Sequence, residues 1–288
     1  MTTTRRSNLA AGLRTTILLA SLTGLLVVIG ALIGGASTAF LFLGIAAVMN
    51  LGAWFFSDRI SLGMARAKPV SEEEAPRIYE MLRELTSRAD MPMPRLYLIP
   101  QDQPNAFATG RSPKKAAVAL TAGITRLLSE EELKGVIAHE LAHIRSRDTL
   151  IQSVAATIGG AITYIGYMLF WFGGDSDSPL GLVAALAMVI LAPIAASIIQ
   201  LAISRQREYS ADATGAALTG NPESLASALL RLHEGAIAKP MHHVNEATEP
   251  LYIVNPAVGR KGLGRLFMTH PPIEERVSRL RQMRPSLV

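Results

Sequence analysis

Charged residues vanish between Arg14 and Asp58, and the glycines Gly34 and Gly35 with Ser37 divide this run into two apolar spans. Each is about 19 residues long, close to what a bilayer requires. The pattern predicts a transmembrane hairpin over residues 1–57. A second charge-free stretch runs from Thr149 to Gly174, is interrupted by Asp175 and Asp177, and resumes from Pro179 to Ser204. It predicts two more spans within 149–204, the second holding Pro193, which membrane helices tolerate better than soluble ones do. A cleaved leader explains the first span poorly, because the apolar run is too long and a second span follows almost at once.

The remaining residues, 58–148 and 205–288, alternate polar and apolar positions like a soluble domain split by the second hairpin. Ser71 to Ala89 reads as a helix begun by Ser71 with Glu73 and Glu74 behind it. Arg95 to Ile99 and Ala116 to Leu120 are short β-type runs, with Asn105 to Thr109 between them and a turn at Gly110 to Pro113. Helices are expected over Ala122 to Leu128 and Glu130 to Arg147. The second should start at a capping box, Ser129 with Glu132, strengthened by Glu130 and Glu131 at the positive end of the helix dipole.

On that second helix Leu133, Val136, Ile137, Leu141 and Ile144 form one apolar arc, with His139 and His143 along its edge. These two belong to His139-Glu140-Leu141-Ala142-His143, an H-E-x-x-H motif. Residues four apart share a helix face, so both imidazoles can converge on one metal ion while Glu140 faces water beside it. The expected setting is a half-buried seam, and the chemistry it suggests is zinc-assisted hydrolysis.

Composition sharpens this picture. The chain of 288 residues is 49% hydrophobic and 18% charged, with mean hydropathy +0.29, too apolar for an ordinary soluble enzyme. The net charge of +5 lies largely in arginines and lysines beside the spans: Arg5, Arg6 and Arg14; Arg59, Arg66 and Lys68; Arg145 and Arg147; Arg205 and Arg207. The short connections at 34–37 and 173–178 carry none. The positive-inside rule therefore puts the termini and the polar section on the cytoplasmic side of a multi-pass inner-membrane protein. Basic residues beside spans suit anionic headgroups and give no reason to invoke nucleic acid. The absence of cysteine fits a reducing compartment and removes thiolates from the possible metal ligands.

A catalytic zinc normally takes three protein ligands and keeps a fourth position for water. Glu208 is the best third candidate, since a hairpin over 149–204 would return the chain beside the H-E-x-x-H helix. Asp212 lies one turn further on the same face and could orient a ligand histidine. Spacing alone leaves open the alternative that both merely pair with Arg205 and Arg207 on a solvated helix.

Five segments in order, Pro104-Asn105-Ala106-Phe107-Ala108-Thr109-Gly110, Leu128 to Leu133, His139 to Ile144 with Asp148, Arg207 to Asp212, and Thr269-His270-Pro271-Pro272, closely resemble the HtpX family of membrane zinc endopeptidases, related to the CaaX-prenyl proteases. The resemblance covers nearly the whole chain. It implies a mainly α membrane protein with four transmembrane helices and a cytoplasmic α+β, zincin-like metalloprotease domain with a small sheet. It further implies one Zn2+ per chain held by His139, His143 and Glu208, with Glu140 as general base and Asp212 supporting a ligand histidine. Asn105, Ala106, Phe107 and Ala108 would form an edge strand that aligns an extended peptide. His270 would stabilise the tetrahedral intermediate. The implied substrates are proteins or peptides, damaged or misfolded membrane proteins among them. Residues 235–262, where the resemblance is weak, are expected to be a mobile loop, and His242 and His243 receive no role. The rival to the protease is a membrane adaptor with a structural zinc site, which would have no use for Glu140.

Overall fold

The computed structural model describes residues 2–158, 205–239, 251–254 and 271–283. Helix α1 covers Thr2–Met64, but it is not one straight rod. Asn50 Nδ2 donates to Leu19 O at 3.2 Å and to Thr23 Oγ1 at 2.8 Å, whereas 27 residues of straight helix would span about 40 Å. The chain therefore folds back on itself. Gly35, with φ +68°, is the one residue of α1 in the left-handed region, which glycine enters at no steric cost. The reversal falls in the 34–37 segment that the apolar pattern marks as a connection. In apolar surroundings the Asn50 amide has few competing partners, so its bonds tie the two arms together.

Among the described residues one helix, Gly35–Met64, is long and apolar enough to cross a membrane, with a mean hydropathy of 2.0. Only 11% of that apolar window is buried. Phe40 and Val48 are 73% and 72% exposed, and Phe55 and Phe56 lie half open beside them. So much outward apolar surface calls for an apolar surrounding. The second predicted hairpin lies outside the described residues except for its beginning, where a helix runs over 148–158.

Helix α2, Pro76–Ala89, starts five residues later than its sequence suggests. Pro76 is the reason: its ring fixes φ for a first helical turn but cannot continue a helix from before it, and it pushes Ala75 out of the helical region, to φ −139° and ψ 57°. Ser71 instead closes a local turn, donating its N–H to Glu74 at 2.7 Å.

Strands β1 (Lys68–Pro69), β2 (Arg95–Ile99), β3 (Ala106–Thr109) and β4 (Ala117–Thr121) form one mixed sheet in the order β1-β2-β4-β3. β2 and β4 run parallel, and β3 pairs antiparallel with β4 from Ala106 opposite Leu120 to Thr109 opposite Ala117. β3 is thus the terminal strand of the ladder. Every one of its residues is nevertheless buried.

After the short helix α3 (Ala122–Leu127), α4 runs from Glu130 to Ser146 with both halves of the Ser129/Glu132 capping box formed. Ser129 Oγ accepts from the Glu132 N–H at 3.3 Å, and the Glu132 carboxylate accepts from the Ser129 N–H at 2.8 Å. Replacing Ser129 by Ala should cost about 1 kcal/mol and lower the melting temperature by about 2–4 °C. Thermal unfolding of the detergent-solubilised chain measures this. Glu132 also binds Ser227 and Arg231 on the Pro222–Ala238 helix, so its replacement should cost more.

α4 departs from the half-buried seam its periodicity suggests. From Gly135 to Ile144 it is buried on all sides, wedged between the sheet and the Arg205–Thr219 and Pro222–Ala238 helices. Gly215 permits the approach of the Arg205–Thr219 helix. A Cβ there would stand 2.9 Å from the His139 backbone nitrogen, nearer than real Cβ atoms come. The two polar sections that flank the second apolar stretch in sequence meet across this contact.

Of residues 235–262, expected as a loop, the described ones are in part ordered into a helix and in part buried. The Pro222–Ala238 helix takes the first of them, and Leu251, Tyr252, Ile253 and Val254 are at most 5% exposed. An apolar tetrapeptide beside a terminal strand has both burial and unpaired backbone to gain.

Candidate metal centre

His139 and His143 lie one turn apart on α4, and Glu208 reaches them from the facing helix Arg205–Thr219. The two Nε2 atoms are 3.1 Å apart. Glu208 Oε1 is 3.5 Å from His143 Nε2, and Oε2 is 3.8 Å from His139 Nε2. Ligands about 2.0–2.1 Å from a tetrahedral zinc would be separated by about 3.3 Å, so these spacings match a triad closing on one small cation. All three side chains are buried, and they form the cluster of potential metal ligands found among the described residues.

The protons point the same way. His139 Nδ1 lies 2.9 Å from Asp212 Oδ1, and His143 Nδ1 lies 3.4 Å from Asp148 Oδ2. With Nδ1–H directed at a carboxylate on both rings, both Nε2 lone pairs face each other and the Glu208 carboxylate. With both rings neutral, three acceptors converge on one point, a site for a cation, although Arg276 Nη2 also stands 3.5 Å from His139 Nε2. Formal charge agrees. Glu140, Glu208, Asp212 and Asp148 set four carboxylates against two guanidinium groups, Arg276 and Arg207, leaving two negative charges that a divalent ion would balance.

Without that ion the imidazoles divide sharply. Burial holds His139 down, to about 4. Burial also opposes charge on His143, but Glu208 first and then Asp148 override it and lift the group to about 9. A proton on His143 therefore does part of what a metal would do.

Glu140 is buried near β3, and the Ala108 backbone N–H favours its ionised form. Burial raises its carboxyl to about 7, and the nearby Glu208 charge works in the same direction. A bound cation would draw it back toward the ionised form.

The structure thus brings together His139, Glu140, His143, Glu208 and Asp212, with Ala108 beside them. Asn105, just before β3, and Ala106 and Phe107 within it are covered by residues 251–254. His270 lies outside the described residues, as do His242 and His243. Two participants have no predicted role. Asp148 orients His143 and is itself held by Ser146 Oγ at 2.6 Å and by Arg207 at 3.4 Å. Arg276, fully buried on the Ile273–Gln282 helix, grips Asp212 through Nε at 2.9 Å and Nη2 at 2.7 Å. Its Nη1 comes within 3.7 Å of Glu208. Asp148 appears in the sequence only as part of a resemblance, and the Ile273–Gln282 helix carries Arg276 among several other charged residues that give no hint of its burial.

Known proteins agree with this geometry. The sequence profile described as peptidase family M48 matches residues 72–284. Among relatives, a protease HtpX homolog from Syntrophobacter fumaroxidans is 51% identical over 278 residues, spanning 94% of this chain and 98% of that one. Another from Burkholderia thailandensis is 48% identical over 274 residues, 94% and 96% of the two chains. In fold, the chain is similar to the crystal structure of S. mikatae Ste24p, with a TM-score of 0.50 and 18% identity over 96% of this chain and 66% of that longer one. A profile over most of the sequence and relatives near half identity along their whole length show the family: the chain belongs to peptidase family M48, among the HtpX membrane metalloproteases.

Proposed function

We propose that the protein is a zinc endopeptidase of the cytoplasmic membrane that cuts exposed segments of damaged or misfolded membrane proteins at the cytosolic face. The observation that carries this is the triad of His139, His143 and Glu208 around one point, with Glu140 alongside. Zinc suits two imidazoles and a carboxylate, and when bound it supplies Lewis acidity toward water and the scissile carbonyl. Asp212 and Asp148 fix the ring tautomers, so both Nε2 atoms offer lone pairs. Glu140 accepts the proton of the attacking water and returns it to the leaving amine. His270, six residues before Arg276 in the chain, has the role of stabilising the tetrahedral oxyanion.

The membrane arrangement rests on charge and hydropathy. Four spans with arginine-rich flanks on one side give cytoplasmic termini and a cytoplasmic domain assembled from both polar sections. Its attachment next to spans favours substrates in or at the bilayer.

Purified full-length chain in detergent should contain one zinc per molecule and cleave an unstructured protein such as casein. A chelator should abolish cleavage and added zinc restore it. Stoichiometric zinc without cleavage of any unfolded protein would replace the protease with an adaptor holding a structural ion.

A further inference from the structure

Residues 251–254 lie along the side of β3 that β4 does not use. Ile253 N–H donates to Ala106 O at 3.0 Å. The Asn105 side chain imitates a peptide group toward the next residue: Nδ2 donates to Val254 O at 2.7 Å, and Oδ1 accepts from the Val254 N–H at 3.3 Å. Tyr252 meets the Phe107 ring edge to face at 5.3 Å. Residues 105, 106 and 107 thus face 254, 253 and 252 in turn, an antiparallel register. Ala108, one residue further along, lies near Glu140, whose charge its backbone N–H favours. On the other side Arg276 Nη1 donates to Ile253 O at 3.3 Å, tying the segment to the guanidinium that holds Asp212.

We propose that Leu251-Tyr252-Ile253-Val254 occupies in cis the subsites next to the scissile bond, so that an extended peptide must displace it, and that the preferred peptide resembles it: uncharged, aromatic or β-branched. This rests on the protease reading and specifies its substrate class. Strand addition to an open edge is a general way to bind extended chain, with affinity from the backbone and selectivity from alternate side chains. Here the edge is occupied. A single backbone hydrogen bond joins the segment to β3, and the rest of its hold comes from side-chain bonds and from apolar burial, which an apolar peptide can supply in its place. The apolar preference follows from the surroundings. Tyr252 and Leu251 sit in a cluster with Phe107, Ile99, Leu62 and Ala156, the last two from helices that run toward the apolar stretches. Ile253 and Val254 join the main core. No charged side chain could replace them without desolvation.

The test uses full-length chain in detergent carrying Glu140→Gln, so that peptide binds uncut, and a fluorescein-labelled ten-residue peptide centred on Leu-Tyr-Ile-Val. Hydrogen exchange at the Ile253 and Val254 amides should quicken when peptide is added. Adding Ile253→Pro, which deletes the N–H donor, should tighten peptide binding about fivefold, the worth of roughly one net hydrogen bond. A peptide with Asp in place of Tyr should bind more weakly than the parent. In the chain with Glu140 intact, Ile253→Pro should lower KM for casein and leave kcat within about twofold, a split that mere loosening of the fold would not give. Unaltered exchange on peptide addition, no peptide binding, or equal affinity with and without Ile253→Pro in a chain of unchanged helicity would each overturn the proposal. Exchange and binding need no turnover, so they judge the segment separately from the protease reading, which absence of casein cleavage by the unmutated chain would sink.

Discussion

Glu140→Gln should reduce kcat/KM for an unstructured protein by about 10²- to 10⁴-fold, the usual contribution of a placed general base, while zinc content stays at one per chain. Glutamine has nearly the same shape, so the buried pocket should keep its form. What it loses is the capacity to take up and return a proton. Burial, the main reason the carboxyl stands near 7 in the metal-free chain, also keeps bulk water from doing the same job. Glu140 is not one of the three side chains whose ligand atoms converge, which is why metal should remain. Initial rates together with metal analysis decide the matter. A variant retaining more than about a tenth of normal turnover would remove Glu140 from the base role.

Glu208→Ala should lower zinc affinity by more than about 100-fold, beyond the loss typical of outer-sphere partners. Two effects combine. One ligand disappears, and Arg276, 3.7 Å from Glu208, then presents its positive charge to the remaining imidazoles with less opposing it. Competition with a chromophoric chelator gives the affinity. Its pH dependence in the unmutated chain carries a sign that follows from His143. With that ring lifted to about 9, metal binding below this pH must expel one proton, so affinity should fall about tenfold per unit of pH as acidity rises. Affinity unchanged by Glu208→Ala would mean that another side chain completes the centre.

Much of this site is written in short-range pattern. Ser129 and Glu132 mark the start of α4, and spacings of four bring His139 to His143 and Glu208 to Asp212 because both pairs lie on helices. The reversal in α1 announces itself as two glycines in an apolar run. Other features depend on partners far along the chain. Asp148 stands five residues after His143, a spacing that helical geometry would turn away from it; the left-handed Arg147, φ 60°, ends the helix and swings the carboxylate back. Arg276 looks like a surface residue of a charged helix until Asp212, 64 residues earlier, supplies its buried counter-ion. The covering of β3 by 251–254 is a pairing across some 150 positions, and no local periodicity announces it. Pro76 was a readable signal that outweighs the acidic residues before it, because steric exclusion at a proline is harder to overcome than a missing cap.

The helices bearing the histidines and Glu208 touch where Gly215 has only hydrogen, so the width of the gap between their ligands is set by what that position lacks. A single methyl group at residue 215 would act like a shim driven between two jaws. Gly215→Ala should therefore weaken zinc binding without touching a single donor atom, and a chelator competition that finds the affinity unchanged would show that the gap does not depend on this position.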